Sequence, residues 1–160
     1  MIFLLINGIF KKLGKGVHMN IAFFLTPKSE LVTLDEHITI RQAMEIMEYH
    51  RYTAVSVIDR KGRYVDALSE GDILWHLKHK EGLIFKDTER ESIDTIKRHR
   101  PTASVSINSN IESLIELSSS QSFIPVVDDQ NVFIGIIKRS DIIHFCIDKL
   151  GLKDTDERIA

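Results

Sequence analysis

The chain has 160 residues, 43% of them hydrophobic and 28% charged, which excludes the disordered, collagen-like and disulfide-framework classes and fits a soluble globular protein. Lys plus Arg number 21 against 23 for Asp plus Glu, a formal net charge of −2, so no basic field exists to hold a nucleic-acid backbone. The single cysteine, Cys146, can form neither an internal disulfide nor a thiolate metal site alone, and the chain reads as cytoplasmic.

Residues 1–18 stand apart. Residues 1–10 are almost all apolar and are followed by Lys11, Lys12 and Lys15. The run is shorter than the roughly 20 residues of a membrane-spanning helix, and its charge follows the apolar stretch, the reverse of a signal peptide. The simplest reading makes Met19 the start. The codons for Gly14-Lys15-Gly16-Val17 can spell a purine-rich ribosome-binding site just ahead of it. A start there removes three lysines and no acids, leaving a more acidic chain; a surface-anchoring segment is the other reading.

From Met19 the elements follow in order. A strand is expected at 31–34. Ile40, Ala43, Met44 and Met47 then recur at helical spacing behind Thr39, a plausible N-cap. A β-branched run at 55–58, a turn at 59–62 and a second run at 63–68 read as a hairpin, which leads directly into a helix at 70–79. The linker 81–101 carries a possible short helix at 91–97. The pattern then repeats: strand 103–107, a helix with Ile111, Leu114 and Ile115 behind Asn110, strand 124–127, turn 128–131, strand 132–137 and helix 139–150, with 151–160 as a tail.

The repetition is in register. Residues 53–76 shifted by 69 positions land without a gap on 122–145, matching Val57 with Val126, Asp59 with Asp128, Asp72 with Asp141 and Ile73 with Ile142. The chain is therefore expected to be α/β, two β-α-β-β-α units at 19–80 and 102–150.

Two motifs, each present twice, carry a resemblance. One is a strand ending in Asp, at residues 55–59 and 124–128. The other is a junction motif of glycine, two apolar residues, Ser or Thr, two variable residues and Asp. It stands here as Asp66-Ala-Leu-Ser69-Glu-Gly-Asp72 and Gly135-Ile-Ile-Lys138-Arg-Ser-Asp141. In both the chain resembles tandem CBS (cystathionine β-synthase) domain pairs of the bacterial stand-alone type. The resemblance implies two units packed about a pseudo-twofold axis with two clefts between them. It also implies an adenosine-containing ligand (AMP, ADP, ATP, cyclic di-AMP or S-adenosylmethionine), no required cofactor, and regulation of an unknown partner protein. Carried over by position, Asp72, Ser69, Thr53 and Ala54 would serve one cleft. Asp141, Lys138, Phe123 and Ile124, with Arg139 nearby, would serve the other.

The residue types suit that chemistry. One carboxylate can accept from both ribose hydroxyls, a helix start offers free N–H groups to phosphate, and Lys138 and Arg139 add positive charge. The first set has a second meaning, because Ser69 and Asp72 also make a capping box; it reads equally as ligand site or helix cap. The second set is harder to explain as capping, since Lys138 is a poor N-cap. Asp66 stands where the family has glycine, and its charge would oppose a phosphate in the first cleft.

Arg98 and Arg100, in the basic run Lys97-Arg98-His99-Arg100, are further possible phosphate contacts, although such runs are commonly solvated faces. His76 and His79 lack a third ligand, so no metal site is expected. Trp75 and His144 fall at equivalent positions on outer helix faces, where a homodimer would pack, and Cys146 reads as a small buried hydrophobe. No catalytic signature stands out, and no enzyme activity is expected. The expected function is a regulatory nucleotide-binding module, without nucleic-acid or membrane partners; the alternative is a ligand-free dimerisation scaffold.

Overall fold

Short β-branched runs separated by Asp-led turns form two hairpins, and these organise the molecule. A computed structural model describes residues 20–80 and 85–150; the extension 1–18 and the tail 151–160 considered above lie outside the described residues. The strands are β1 (Leu25–Pro27), β2 (Leu34–Asp35), β3 (Ala54–Ile58), β4 (Tyr64–Ser69), β5 (Val105–Ser106), β6 (Phe123–Val127) and β7 (Phe133–Lys138). The α-helices are α1 (Ile40–His50), α2 (Glu70–His79), α3 (Ile111–Ser118) and α4 (Arg139–Leu150). This is the expected mixed α/β architecture of two β-α-β-β-α units.

The turns show how closely the units match. Asp59 accepts from the backbone N–H groups of Lys61 and Arg63, both at 2.8 Å. Asp128 accepts from Gln130 at 2.9 Å and Val132 at 2.8 Å. Each turn then needs one residue in the left-handed region, Gly62 at φ 76° and Asn131 at φ 62°, the residue types that adopt it at least cost. Both hairpins shift register at the same place, between Val57 and Ile58 and between Val126 and Val127.

The helices begin where the sequence places them. Thr39 and Gln42 form a reciprocal capping box at α1, and Asn110 accepts from Ser113 N–H at 3.0 Å to open α3. The apolar face of α1 (Ile40, Ala43, Met47) packs with Val55, Val57 and Leu68 in one core. The matching face of α3 (Ile111, Leu114, Ile115) packs with Ile124, Val126 and Ile137 in a second. Each fully buried aliphatic side chain contributes about 1.5–3 kcal/mol, so both cores are substantial.

Between the cores the hairpins meet back to back. Tyr64 N–H donates to Asn131 C=O at 3.0 Å and Phe133 N–H to Gly62 C=O at 2.9 Å. The two bonds are images of each other under the 69-residue shift, so the pseudo-twofold axis runs through the bridge between Arg63 and Val132. Tyr64 and Phe133 stack across it with ring centroids 6.1 Å apart.

Sheet membership does not follow chain order. The first sheet is β2-β3-β4, but the second is β1-β7-β6-β5, with β1 antiparallel to β7. The N-terminal strand has crossed to the second unit's sheet. Gly135 lies where β1 passes, and a Cβ there would come within 2.3 Å of the Thr26 carbonyl oxygen, so no larger residue fits without moving the strand. Under the 71-residue shift relating β2 to β5, the counterpart of β1 is residues 96–98, which flank the first unit without forming a strand.

The expected 91–97 helix shortens to a 3-10 turn at Ile93–Thr95. Ile93 and Ile96 both turn into the first core, while Glu91 is drawn to His76 and Lys80. The strands expected at 31–34 and 103–107 reduce to β2 and β5, two residues each.

Candidate functional site

Where β3 and β6 begin side by side on the two units, two cavities open between the sheets. The larger, about 350 Å³, is walled by Glu30, Leu31, Val32, Tyr52 and Ala54 from the first unit and by Phe123, Phe133, Ile136 and Lys138 from the second. The smaller, about 210 Å³, lies among Ala54 and Ser69, the linker residues Arg100 and Thr102, and Ser120–Phe123. Each cavity therefore combines the junction residue of one unit with the strand start of the other: Lys138 with Tyr52 and Ala54, Ser69 with Gln121 and Phe123. Grouping site residues by repeat unit, as the sequence suggests, crosses this arrangement.

The two junction carboxylates differ sharply. Asp72, on the first turn of α2, is buried. Its Oδ2 accepts from Ser69 N–H at 3.0 Å and Ser69 O–H at 2.6 Å, and its Oδ1 accepts from His99 N–H at 2.7 Å. It completes the capping box and clips the linker to α2. Asp66, on β4, continues the clip by accepting from Thr102 N–H at 2.9 Å, and Tyr64 O–H donates to Thr102 C=O at 2.8 Å. Burial, reinforced by the nearby Asp66 charge, pushes the Tyr64 pKa up, so it remains a donor. The residue standing in place of the family glycine is thus engaged in holding the linker.

Asp141 occupies the equivalent place on α4 and is half-buried. Among the described residues its carboxylate meets one weak donor, Ser140 O–H at 3.3 Å. Lys138, exposed at the end of β7, makes no ion pair with a described residue, so this junction presents an uncommitted acid and an uncommitted cation three residues apart.

The remaining sequence-derived positions separate. Thr53 is exposed, and its carbonyl accepts from Glu70 N–H at 3.0 Å. Arg139 is exposed, and its own N–H donates to the Ser122 carbonyl at 3.0 Å, the same bond in the second unit. Ile124 is fully buried in the second core. Arg100 reaches the smaller cavity, but Arg98 turns to the outside of α2, its Nη1 donating to the carbonyls of Ile93 and Ile96 at 3.2 and 3.0 Å. Leu31, Val32, Tyr52, Phe133 and Ile136 were not among the expected lining; applying the twofold to the residues before each first strand would have pointed to the first two. Cys146 is half-buried against the second core, and burial raises its thiol pKa. Among the described residues, no group of three His, Cys, Asp or Glu is placed to hold a metal ion, and no helix is long and apolar enough to cross a membrane.

Comparison with known proteins agrees with this geometry. No curated protein matches the chain. Among solved structures, a CBS domain protein from Streptococcus pneumoniae shares 24% identity over 94% of this chain and 98% of its own, with a TM-score of 0.76. CbpB, solved in complex with c-di-AMP, shares 19% identity over 91% and 95%, TM-score 0.75. CBSX2, solved in complex with AMP, shares 22% over 81% and 96%, TM-score 0.64. The CBS domain family model matches twice, at residues 24–79 and 94–148. Two matched segments, two hairpins about one pseudo-twofold and two inter-sheet cavities agree: the chain belongs to the CBS domain family, as a tandem pair.

Proposed function

We propose that this CBS pair is a non-catalytic regulatory module that binds an adenosine-containing nucleotide in the larger inter-sheet cavity and signals its presence to a partner protein. The observation that carries the proposal is the pairing of an apolar slot with free charges. Leu31, Val32, Ala54 and Phe133 wall a space of about 350 Å³, within the roughly 300–1,000 Å³ of ordinary ligand sites. Lys138 and Glu30 line the same space, with the uncommitted Asp141 following on α4 beyond the lining. The base would occupy the slot, Asp141 would accept from the ribose hydroxyls, and Lys138, with Arg139 beside it, would face the phosphate. The fold neighbours solved with c-di-AMP and AMP support this ligand class.

Ser69 and Asp72 would serve the smaller cavity only after releasing each other and His99, so one nucleotide site per chain is the expected stoichiometry. A ligand touching both units biases their relative pose by its differential affinity for two arrangements. Leu74 and Ile143, equivalent and exposed on α2 and α4, offer an apolar face on which a second copy would dock, and the module is read as a cytoplasmic homodimer of bacterial type. Thermal-shift measurements with AMP, ADP, ATP, cyclic di-AMP and S-adenosylmethionine test the proposal. At least one should raise the melting temperature, and Lys138→Ala should diminish the rise. No response to any of the five would leave the ligand-free dimerisation scaffold as the better reading.

A further inference from the structure

A cavity of about 660 Å³, larger than either inter-sheet cavity, lies between the exposed side of α2 and the linker. Its walls gather bases. His76, His79 and Lys80 come from α2 and its end, and Lys97, Arg98 and His99 from the linker. The one lining acid, Asp72, accepts from Ser69 and His99, and its charge, with those of Asp66 and Asp94, acts on Arg98. Glu91 offsets part of the charge, pairing with His76 at 3.0 Å and with Lys80. Lys97 and the rings of His79 and His99 have no acidic partner among the described residues. Arg98 adds a second sign of incompleteness: its Nε is buried without a hydrogen-bond partner, which carries a cost of roughly 1–3 kcal/mol in a settled structure.

Ordinary protein surfaces intersperse both signs of charge; a concave surface whose lining holds bases on two facing walls and a single acid instead suits an anion. From this geometry we infer that the groove between α2 and the linker is an anion site for a small molecule carrying two or more phosphate charges. A single phosphate would engage one wall and leave the other unmet, whereas a chain of phosphates can contact Lys97 and Arg98 on the linker and His79 on the helix together. Occupation would tie α2 of the first unit to the segment that leads into the second, placing a second input on the same inter-unit geometry.

Trp75 lines the groove and is the sole tryptophan of the chain, so intrinsic fluorescence reports on this site directly. Inorganic tripolyphosphate, which has no adenosine to occupy the inter-sheet cavity, is titrated into the full chain at low salt, with isothermal calorimetry in parallel. The inference predicts a saturable change in Trp75 emission with matching heat. A Lys97→Gln/His79→Gln double variant that retains the wild-type melting temperature should weaken binding about tenfold, while Lys138→Gln should leave it unchanged. Absence of saturable binding, heat without a Trp75 response, or indifference to the double variant would each overturn the inference. Loss of binding in Lys138→Gln would overturn it too, by moving the phosphate to the inter-sheet cavity. Nucleotide binding there is read separately and can fail without affecting this result.

Discussion

At the first strand-to-helix junction Asp72 is buried and accepts three hydrogen bonds, whereas at the second, Asp141 is half-buried and meets only the Ser140 hydroxyl. The flanking segments differ to match. β1 covers β7 through a backbone ladder, which requires Gly135; the corresponding segment, residues 96–98, forms no ladder, and the chain just after it is held at His99 and Thr102 by the side chains of Asp66, Asp72 and Tyr64. A repeat thus conserves geometry while dividing labour. Where a strand supplies the flank, the junction carboxylate is left free; where it does not, the carboxylate becomes part of the scaffold.

Substitutions at equivalent positions should therefore have unequal consequences. The largest is expected for Asp72→Ala, which removes the reciprocal half of the capping box and leaves the N–H groups of Ser69 and His99 without their carboxylate acceptor; urea unfolding should show a loss of about 3 kcal/mol. A loss no greater than that of Asp141→Ala would break the comparison. Next comes Gly135→Ala, where the added methyl meets the Thr26 carbonyl, with an expected loss of about 2 kcal/mol; Asp66→Ala meets no such clash and loses the bond from Thr102 N–H, a cost of about 1 kcal/mol.

Acid should also affect the first flank through Glu91. Burial alone would raise the pKa of Glu91, but hydrogen bonds from Lys80, Thr95 and His76 outweigh it and hold the carboxyl below its usual range. A depressed folded-state pKa gives stability that is complete above the unfolded value and lost as pH falls through the folded one. Wild type should therefore lose more stability than Glu91→Gln between about pH 5 and pH 3, read from unfolding midpoints across that range. The smallest effect is expected for Asp141→Ala, within about 0.5 kcal/mol of wild-type stability, as for a surface residue with little to lose.

Much of this was legible in the residues. Local signals are short-range, and so the Thr39 and Asn110 caps, the Asp-led turns and the amphipathic faces of α1 and α3 could be read from neighbouring positions. The crossing of β1 could not. Leu25–Pro27 is a three-residue edge strand containing a proline, and its partner lies more than a hundred positions away. The cross-pairing of the cavities was hidden for a related reason: a sequence repeat groups residues by unit, whereas a twofold axis builds each cleft from both. Ser69 and Asp72 read equally as cap or ligand site because a capping box and a nucleotide junction use the same residue types. Only the third hydrogen bond, from the distant His99, assigns Asp72 to the scaffold in this structure.

The central claim is that the second junction, and not the first, is free to hold a nucleotide. Isothermal titration of the adenosine ligand giving the strongest thermal shift, into wild type, Asp141→Ala and Lys138→Ala, tests it most directly. The account predicts one site per chain, weakened about tenfold or more by either substitution through the loss of a charge-assisted contact. Two equal sites, or a single site indifferent to both substitutions, would contradict it.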